Sequence, residues 1–138
     1  MSNALISIKP KHVANIISGK KTVELRTRSL NLPTGSKLWI YSTLPTGKVE
    51  VSTTIAFIET KPPAYIWKKH KDQICISKSE FDDYTNGRSQ VTVIGLSDVK
   101  LVKKDLCLKT LRTFDTSFTP PQFFMKLTAD KKIYSAFS

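Results

Sequence analysis

Eight residues near the start of the chain, 19–26 with the sequence GKKTVELR, combine a lysine, a glutamate and an arginine at close spacing. The segment follows a short apolar helical pattern and is predicted to be a β-strand. Because the side chains of a strand alternate between two faces, Glu24, Arg26 and Arg28 share one face. An acid placed between two arginines suits a polar site better than a hydrophobic core. We therefore expect the functional site at this strand.

The cations around this strand are suited to binding phosphate. Arg26 and Arg28 can hold a phosphate through paired hydrogen bonds, and Lys9 and Lys21 flank them in the sequence. Glu24 would repel a phosphate, so we expect it to position the arginines or to accept a hydrogen bond from a base. The alternative is an ordinary surface ion pair between Glu24 and Arg26, worth about 0–1 kcal/mol.

Aromatic residues follow in the next predicted strand. Trp39 and Tyr41 lie two residues apart and therefore share a face. Aromatic surfaces beside a basic groove stack on unpaired RNA bases, which makes Tyr41 a predicted base contact. The alternative is that both rings belong to the core.

The same residues support a second interpretation, a small hydrolase. Lys21 would act as the base, and Glu24 would act as the acid or would position a water molecule. The chain has no glycine-rich phosphate loop and no Ser-His-Asp order in its sequence. Whether the protein is an enzyme stays open at this point.

The charge of the chain favours a polyanionic partner. Its 138 residues carry 22 Lys and Arg against 11 Asp and Glu, a net charge of +11. RNA or a nucleotide is the predicted partner, with DNA as an alternative. A third interpretation is an interaction module whose basic face meets an acidic protein or DNA. The least specific interpretation is that the protein is basic only for solubility.

Cysteine and histidine usage argues against a metal centre. Cys75, Cys107, His12 and His70 have no metal-site spacing, so we predict no metal and no cofactor. No apolar run approaches the ~20 residues of a membrane helix, and no signal peptide is seen. We expect a cytoplasmic protein that does not bind membranes; its oligomeric state is not predicted.

The elements that must position these residues alternate irregularly along the chain. Hydrophobic periodicity and turn residues predict strands over residues 5–9, 21–28, 37–43, 49–60, 90–96 and 99–103. Helices are predicted over residues 10–18, 64–73, 78–86 and 105–112, and Ser77 with Glu80 forms a capping box. The last ten residues are expected to be loose. The fold class is therefore α+β, with a curved sheet or small barrel surrounded by short helices.

The chain resembles the ASCH domains, a branch of the PUA-like superfamily. Gly19, Lys21, Glu24 and Arg26 match the family signature G-x-K-x-x-E-x-R. Further similarities, in the same order along the chain, are Ser7 to Pro10, Trp39 to Thr43, Phe81, Tyr84 and Gly87, and Thr119 to Gln122. The resemblance covers residues 4–127 and is best to the branch described as predicted transcriptional regulators. It implies one domain over residues 1–138, with a core over 4–127 and a loose C-terminal tail.

The resemblance also implies a function class. ASCH domains have a small β-barrel with a cleft beside the signature, and the cleft is expected to bind RNA or nucleotides. Some members of the family are acetylcytidine amidohydrolases and others are described as ribonucleases. The amidohydrolases carry a threonine where this chain has Glu24, which counts against that activity here. A regulatory role in transcription or RNA metabolism follows from the branch that the chain resembles.

Overall fold

The computed structural model describes residues 2–138, and its central feature is a sheet of six strands. The strands are β1 (Asn3–Ile8), β2 (Val23–Arg26), β3 (Lys37–Ser42), β4 (Lys48–Lys61), β5 (Val91–Leu101) and β6 (Phe124–Lys126). Their order across the sheet is β2-β5-β4-β3-β1-β6. β1 and β3 run parallel, whereas the other neighbours are antiparallel. The sheet curls into a half-barrel with β2 and β6 at its edges, which confirms the predicted α+β class.

Four short helices cover the sheet, and local sequence explains where they begin and end. They are α1 (Pro10–Ile17), α2 (Pro63–Ile74), α3 (Lys78–Thr85) and α4 (Leu108–Phe114). Pro10 and Pro63 stand in the first helical turn, where the missing N–H of proline costs no hydrogen bond. The predicted capping box is present, because Ser77 accepts a hydrogen bond from the Glu80 backbone and Glu80 accepts one from Ser77. Gly19 follows α1 with a φ of +86°, a conformation that favours glycine.

Several elements differ from the sequence prediction, and one of them is β6 (Phe124–Lys126), for which no strand was predicted. The strand expected over 21–28 is limited to Val23–Arg26, and the two strands expected over 90–103 form the single strand Val91–Leu101. The end of the chain, expected to be loose, forms a 3-10 helix over Lys132–Phe137. Ile133 and Ala136 are buried there, and the Phe137 ring packs edge-on against Trp39 at 5.2 Å. Apolar burial therefore fixes this segment although its sequence lacks a clear period.

The core supports the strands that carry the candidate site. Alternate residues of β1 face opposite sides of the sheet, so that Ala4, Ile6 and Ile8 join one apolar cluster and Leu5 joins another. A third cluster packs α2 and α3 against β2 and β5. Val23 and Leu25 of β2 belong to it, which leaves the side chain of Glu24 on the opposite face. No helix within residues 2–138 is long and apolar enough to cross a membrane.

Candidate functional site

A cavity of about 300 Å³ opens beside β2. It lies where the ends of β1 and β2 meet α1, α3 and the connection between α2 and α3. Its walls are formed by Ser7, Ile8, Lys9, His12, Lys21, Glu24, Leu25, Arg26, Ile74, Ile76, Glu80 and Tyr84. Three of the four signature residues therefore line one cavity, together with Lys9.

Glu24 is the centre of a buried ion network in this cavity. Its Oε1 lies 3.3 Å from Lys21 Nζ, and its Oε2 accepts hydrogen bonds from Arg26 Nη2 at 2.8 Å and Nε at 3.0 Å. Lys21 is 3% exposed and Glu24 is 7% exposed. Two cations thus share one carboxylate, and the network has an excess positive charge of one. A ligand in the cavity meets donors from both cations at short range.

Backbone contacts from distant parts of the chain fix both cations. Lys21 Nζ donates a hydrogen bond of 2.8 Å to the carbonyl of Ile74, at the end of α2. Arg26 Nη2 donates one of 2.8 Å to the carbonyl of Ser7, at the end of β1. The Thr22 amide donates to the carbonyl of Gln73 and continues the connection to α2. These bonds hold the charged groups in place before any ligand arrives, which reduces the entropic cost of binding.

Ser7 and His12 add unpartnered polar groups to the same wall. Within residues 2–138, Ser7 Oγ and His12 Nδ1 are shielded from solvent and have no hydrogen-bond partner. Burial, followed by the nearby Lys21 ammonium, lowers the pKa of His12 below its ordinary value. An Nδ1–H without an acceptor also disfavours the doubly protonated ring. His12 is therefore neutral at physiological pH, and sequence reasoning did not include it in the site.

An exposed aromatic ring stands at the mouth of the cavity. Tyr84 on α3 is 46% exposed and lines the cavity, and burial of its other side raises its pKa. Phe81, on the same helix, points instead into the core. Glu80 also reaches the cavity and pairs with Lys11 at 3.5 Å. Tyr84 is thus an exposed aromatic residue in the lining of the first cavity.

A second cavity of about 650 Å³ adjoins the first and shares Ser7 and Lys9 with it. The remaining walls come from the end of β3 and the segment after it, from α4 and from the turn before β6. They comprise Tyr41, Thr43, Leu44, Leu108, Arg112, Pro120, Pro121 and Gln122. Tyr41 pairs with Ser7 in the parallel register of β1 and β3. Its ring is only 2% exposed, and burial raises the pKa of its hydroxyl.

The structure therefore distributes the predicted site residues over three places. Lys9, Lys21, Glu24 and Arg26 meet in the first cavity, and Tyr41 lies in the wall of the second. Arg28 lines neither, because β2 ends at Arg26; its guanidinium is exposed and lies 5.8 Å from the centre of the Phe123 ring. The expected clamp formed by two arginines on one strand face is thus not preformed.

A separate polar cluster lies at the far end of β4. His70 Nε2 is 2.8 Å from Glu59 Oε1, its Nδ1 is 2.8 Å from Gln73 Oε1, and Lys69 Nζ is 3.1 Å from Glu59 Oε2. The hydrogen bond from His70 is the main reason that the pKa of Glu59 is lowered. This cluster lines a third cavity with Phe57 and Ile58, outside the signature site. Among residues 2–138, no three His, Cys, Asp or Glu side chains are grouped to hold a metal ion.

Comparison with known proteins identifies the family. A family model described as a domain of unknown function, DUF365, matches residues 4–117. An ASCH domain-containing ribonuclease from Zymomonas mobilis is 31% identical over 120 residues, covering 86% of this chain and 80% of the relative. The chain belongs to the DUF365 family and is an ASCH domain.

Solved structures agree with this assignment. The crystal structure of the ASCH protein from Zymomonas mobilis superimposes with a TM-score of 0.88 at 28% identity, covering 96% of this chain and 94% of that one. Human THYN1, solved with DNA containing 5-methylcytosine, gives a TM-score of 0.58 at 13% identity, covering 99% of this chain and 95% of that one. At that identity THYN1 supports the shared fold alone. The fold of this chain is thus that of the solved ASCH protein.

Proposed function

We propose that this ASCH domain binds single-stranded RNA, with one unpaired base in the first cavity. The observation that carries the proposal is the arrangement of Lys21, Glu24 and Arg26 beside the exposed ring of Tyr84. A base stacked on Tyr84 would present its edge to the carboxylate and ammonium groups behind it. Lys9, exposed at the rim, would meet the adjoining phosphate.

Three further observations support a nucleic-acid ligand. The net charge of +11 provides the long-range attraction that a phosphate backbone requires. A relative of 31% identity is called a ribonuclease, and the more distant THYN1 was solved with DNA. RNA is preferred over duplex DNA because a cavity of about 300 Å³ accepts a base only after it has left its stack. A regulatory role in transcription or RNA metabolism forms part of the same proposal.

The test compares two exposed tyrosines. Tyr84 lines the cavity and is 46% exposed, whereas Tyr65 is 44% exposed and lies by Glu59, outside the site. Loss of one stacked base costs about 1–3 kcal/mol. We expect Tyr84→Ala to weaken the binding of a fluorescent single-stranded RNA about 5- to 150-fold in anisotropy titrations at fixed salt. Tyr84→Phe and Tyr65→Ala should bind as the wild type does.

Equal affinities for Tyr84→Ala and Tyr65→Ala would refute the assignment of the site. The result would be decisive because both variants remove one half-exposed ring and leave the net charge unchanged at neutral pH. Preference for duplex DNA over single-stranded RNA at equal salt would instead favour a DNA-binding module.

A second candidate is ribonuclease activity, which the 31% identical relative favours. His12 offers a neutral imidazole in the cavity wall, and a neutral histidine can accept the proton of a ribose 2′-hydroxyl. The Lys21 ammonium is held by Glu24 and the Ile74 carbonyl, which makes it a poorer base. Cleavage should therefore require the 2′-hydroxyl and should be lost in His12→Ala. Equal cleavage by wild type and His12→Ala would rule out this role.

A further inference from the structure

The two cavities beside β1 differ in chemistry although they share a wall. The first is lined by the ion network of Glu24 and by His12. The second is about twice as large and mainly apolar, with Leu44, Leu108 and two prolines among its lining residues. In the described chain its lining includes two cations, Lys9 and Arg112, and no acid. One part of the cleft is thus polar, and the other part is mainly apolar with two cations in its lining.

Ser7 and Lys9 connect the two cavities. Ser7 lies near the end of β1 and Lys9 at the start of α1, and both line each cavity. The Ser7 carbonyl accepts a hydrogen bond from Arg26, and Ser7 pairs with Tyr41 of β3. Lys9 is exposed at this boundary, and its ammonium can meet an anion that passes from one cavity to the next. Ser7 Oγ is unpartnered among residues 2–138 at the same place. The two cavities therefore meet at polar residues.

We propose that the cleft holds two consecutive nucleotides of a single strand, with the second base in the apolar cavity and the intervening phosphate at Lys9. This inference rests on the proposed function of the first cavity. The apolar walls formed by Leu44, Leu108 and the prolines remove the faces of a base from water, and the Gln122 amide can both donate to its edge and accept from it. Arg112, an exposed residue of the same lining, meets the following phosphate.

Charge and continuity favour a nucleotide over an apolar peptide segment in the second cavity. A strand whose first base occupies the signature cavity must continue past the boundary, and the second cavity begins there. The two cations in its lining, Lys9 and Arg112, match the phosphates on either side of one base. An apolar peptide would use the walls but would leave Lys9 and Arg112 without anionic partners.

The test measures affinity as the ligand is lengthened. The probes are a 2′-O-methyl mononucleotide and the matching dinucleotide, which cannot be cleaved through a 2′-hydroxyl, titrated by calorimetry at fixed salt. One additional accommodated base should tighten binding about tenfold, within the range of about 5- to 150-fold measured for a base on an aromatic surface. A third nucleotide should increase the binding affinity much less than the second nucleotide does.

Matched variants test whether the second cavity accounts for the tighter binding of the dinucleotide. Leu44 lines the second cavity and is 73% exposed, so that Leu44→Asp adds a carboxylate there without opening the core. Leu101→Asp is the control, because it adds a carboxylate at a 63% exposed position of β5. Leu44→Asp should reduce dinucleotide affinity to the level of the mononucleotide, while Leu101→Asp should change both ligands equally. Gln122→Glu, also at an exposed position, provides an independent second variant with the same expected loss.

Two outcomes would overturn the inference in different ways. A dinucleotide that binds no tighter than the mononucleotide, or a gain that survives both Leu44→Asp and Gln122→Glu, would reject the second subsite and leave the first intact. Absence of binding for both ligands would reject the proposed function and this inference with it.

Discussion

Replacing Glu24 by glutamine tests the buried ion network at its centre. The change keeps the shape of the side chain and removes its charge. The amide would present its oxygen to one of the two cations and an N–H group to the other, so that either Lys21, 3% exposed, or Arg26 would lose its acceptor on residue 24. We expect Glu24→Gln to destabilise the folded protein substantially.

The magnitude follows from what is left unpaired. Breaking a buried ion pair by removing one partner costs about 3–5 kcal/mol, because a buried charge remains without compensation. Water can enter the adjacent cavity and solvate part of that charge, and the side chain of Arg26 is 12% exposed. We therefore expect about 3 kcal/mol, at the lower end of that range. A protein of ordinary stability, about 5–15 kcal/mol, would still fold.

The assay is urea unfolding at pH 7, with Glu80→Gln as the matched control. Glu80 pairs with Lys11, but its side chain is 50% exposed, and glutamine preserves the capping box. For a slope of about 2 kcal/mol/M, the midpoint of Glu24→Gln should fall by about 1.5 M, while that of Glu80→Gln should hardly move. Equal midpoints for the two variants would show that the Glu24 network is solvated and contributes no more than a surface pair.

Three further outcomes follow from the structure. His12→Gln should flatten the pH dependence of stability. The pKa of His12 is lower in the folded protein than in the unfolded chain, so the unfolded chain binds its proton first and the wild type should lose stability as pH falls below about 6.5. Identical urea midpoints for wild type and variant from pH 7.5 to 5 would contradict this. Gly95→Ala should cost about 1–3 kcal/mol in the same assay, because an added Cβ would lie 2.2 Å from the Phe57 ring, and an unchanged midpoint would mean that the ring moves freely. Ser77→Ala should cost about 1 kcal/mol through loss of the α3 cap, whereas Ser77→Asp should retain most of the stability if capping is the cause.

Local sequence signals predicted the elements well. The capping box of α3, the proline starts of two helices and the glycine after α1 each act within a few residues, so their effect can be read without knowledge of the fold. The ASCH signature includes Lys21, Glu24 and Arg26, and the same three residues form the ion network. The resemblance therefore located the network in the sequence.

Strand periodicity failed at the ends of β2. Alternation across residues 21–28 put Lys21 and Glu24 on opposite faces and Arg26 and Arg28 on the same face. The strand begins only at Val23, so that Lys21 lies in the irregular segment before it, and its ammonium group donates to the Ile74 carbonyl, 53 residues away. Such a bond between distant segments leaves no periodic trace in the sequence.

Tyr41, the predicted base contact, is more deeply buried than the strand pattern alone indicates. Tyr41 lies in an interior strand and is covered by α4 and the C-terminal segment, which the sequence analysis expected to be loose. Tyr84 faces the cavity because α3 docks beside β2, and helical spacing alone shows only that it flanks the buried Phe81. His12 and Ser7 were not predicted as site residues, because the cavity that they line is formed by segments that are distant in the sequence.

The central claim, that the signature cavity binds single-stranded RNA, is tested most directly by nuclear magnetic resonance. A chain of 15.5 kDa gives resolved amide signals, and these can be followed while a short single-stranded RNA is added. We predict saturable shifts concentrated at residues 7–12, 21–26, 74–76 and 80–84, which surround the first cavity. Shifts centred instead on Glu59 and His70, or no shifts at RNA concentrations that saturate binding by anisotropy, would contradict the claim.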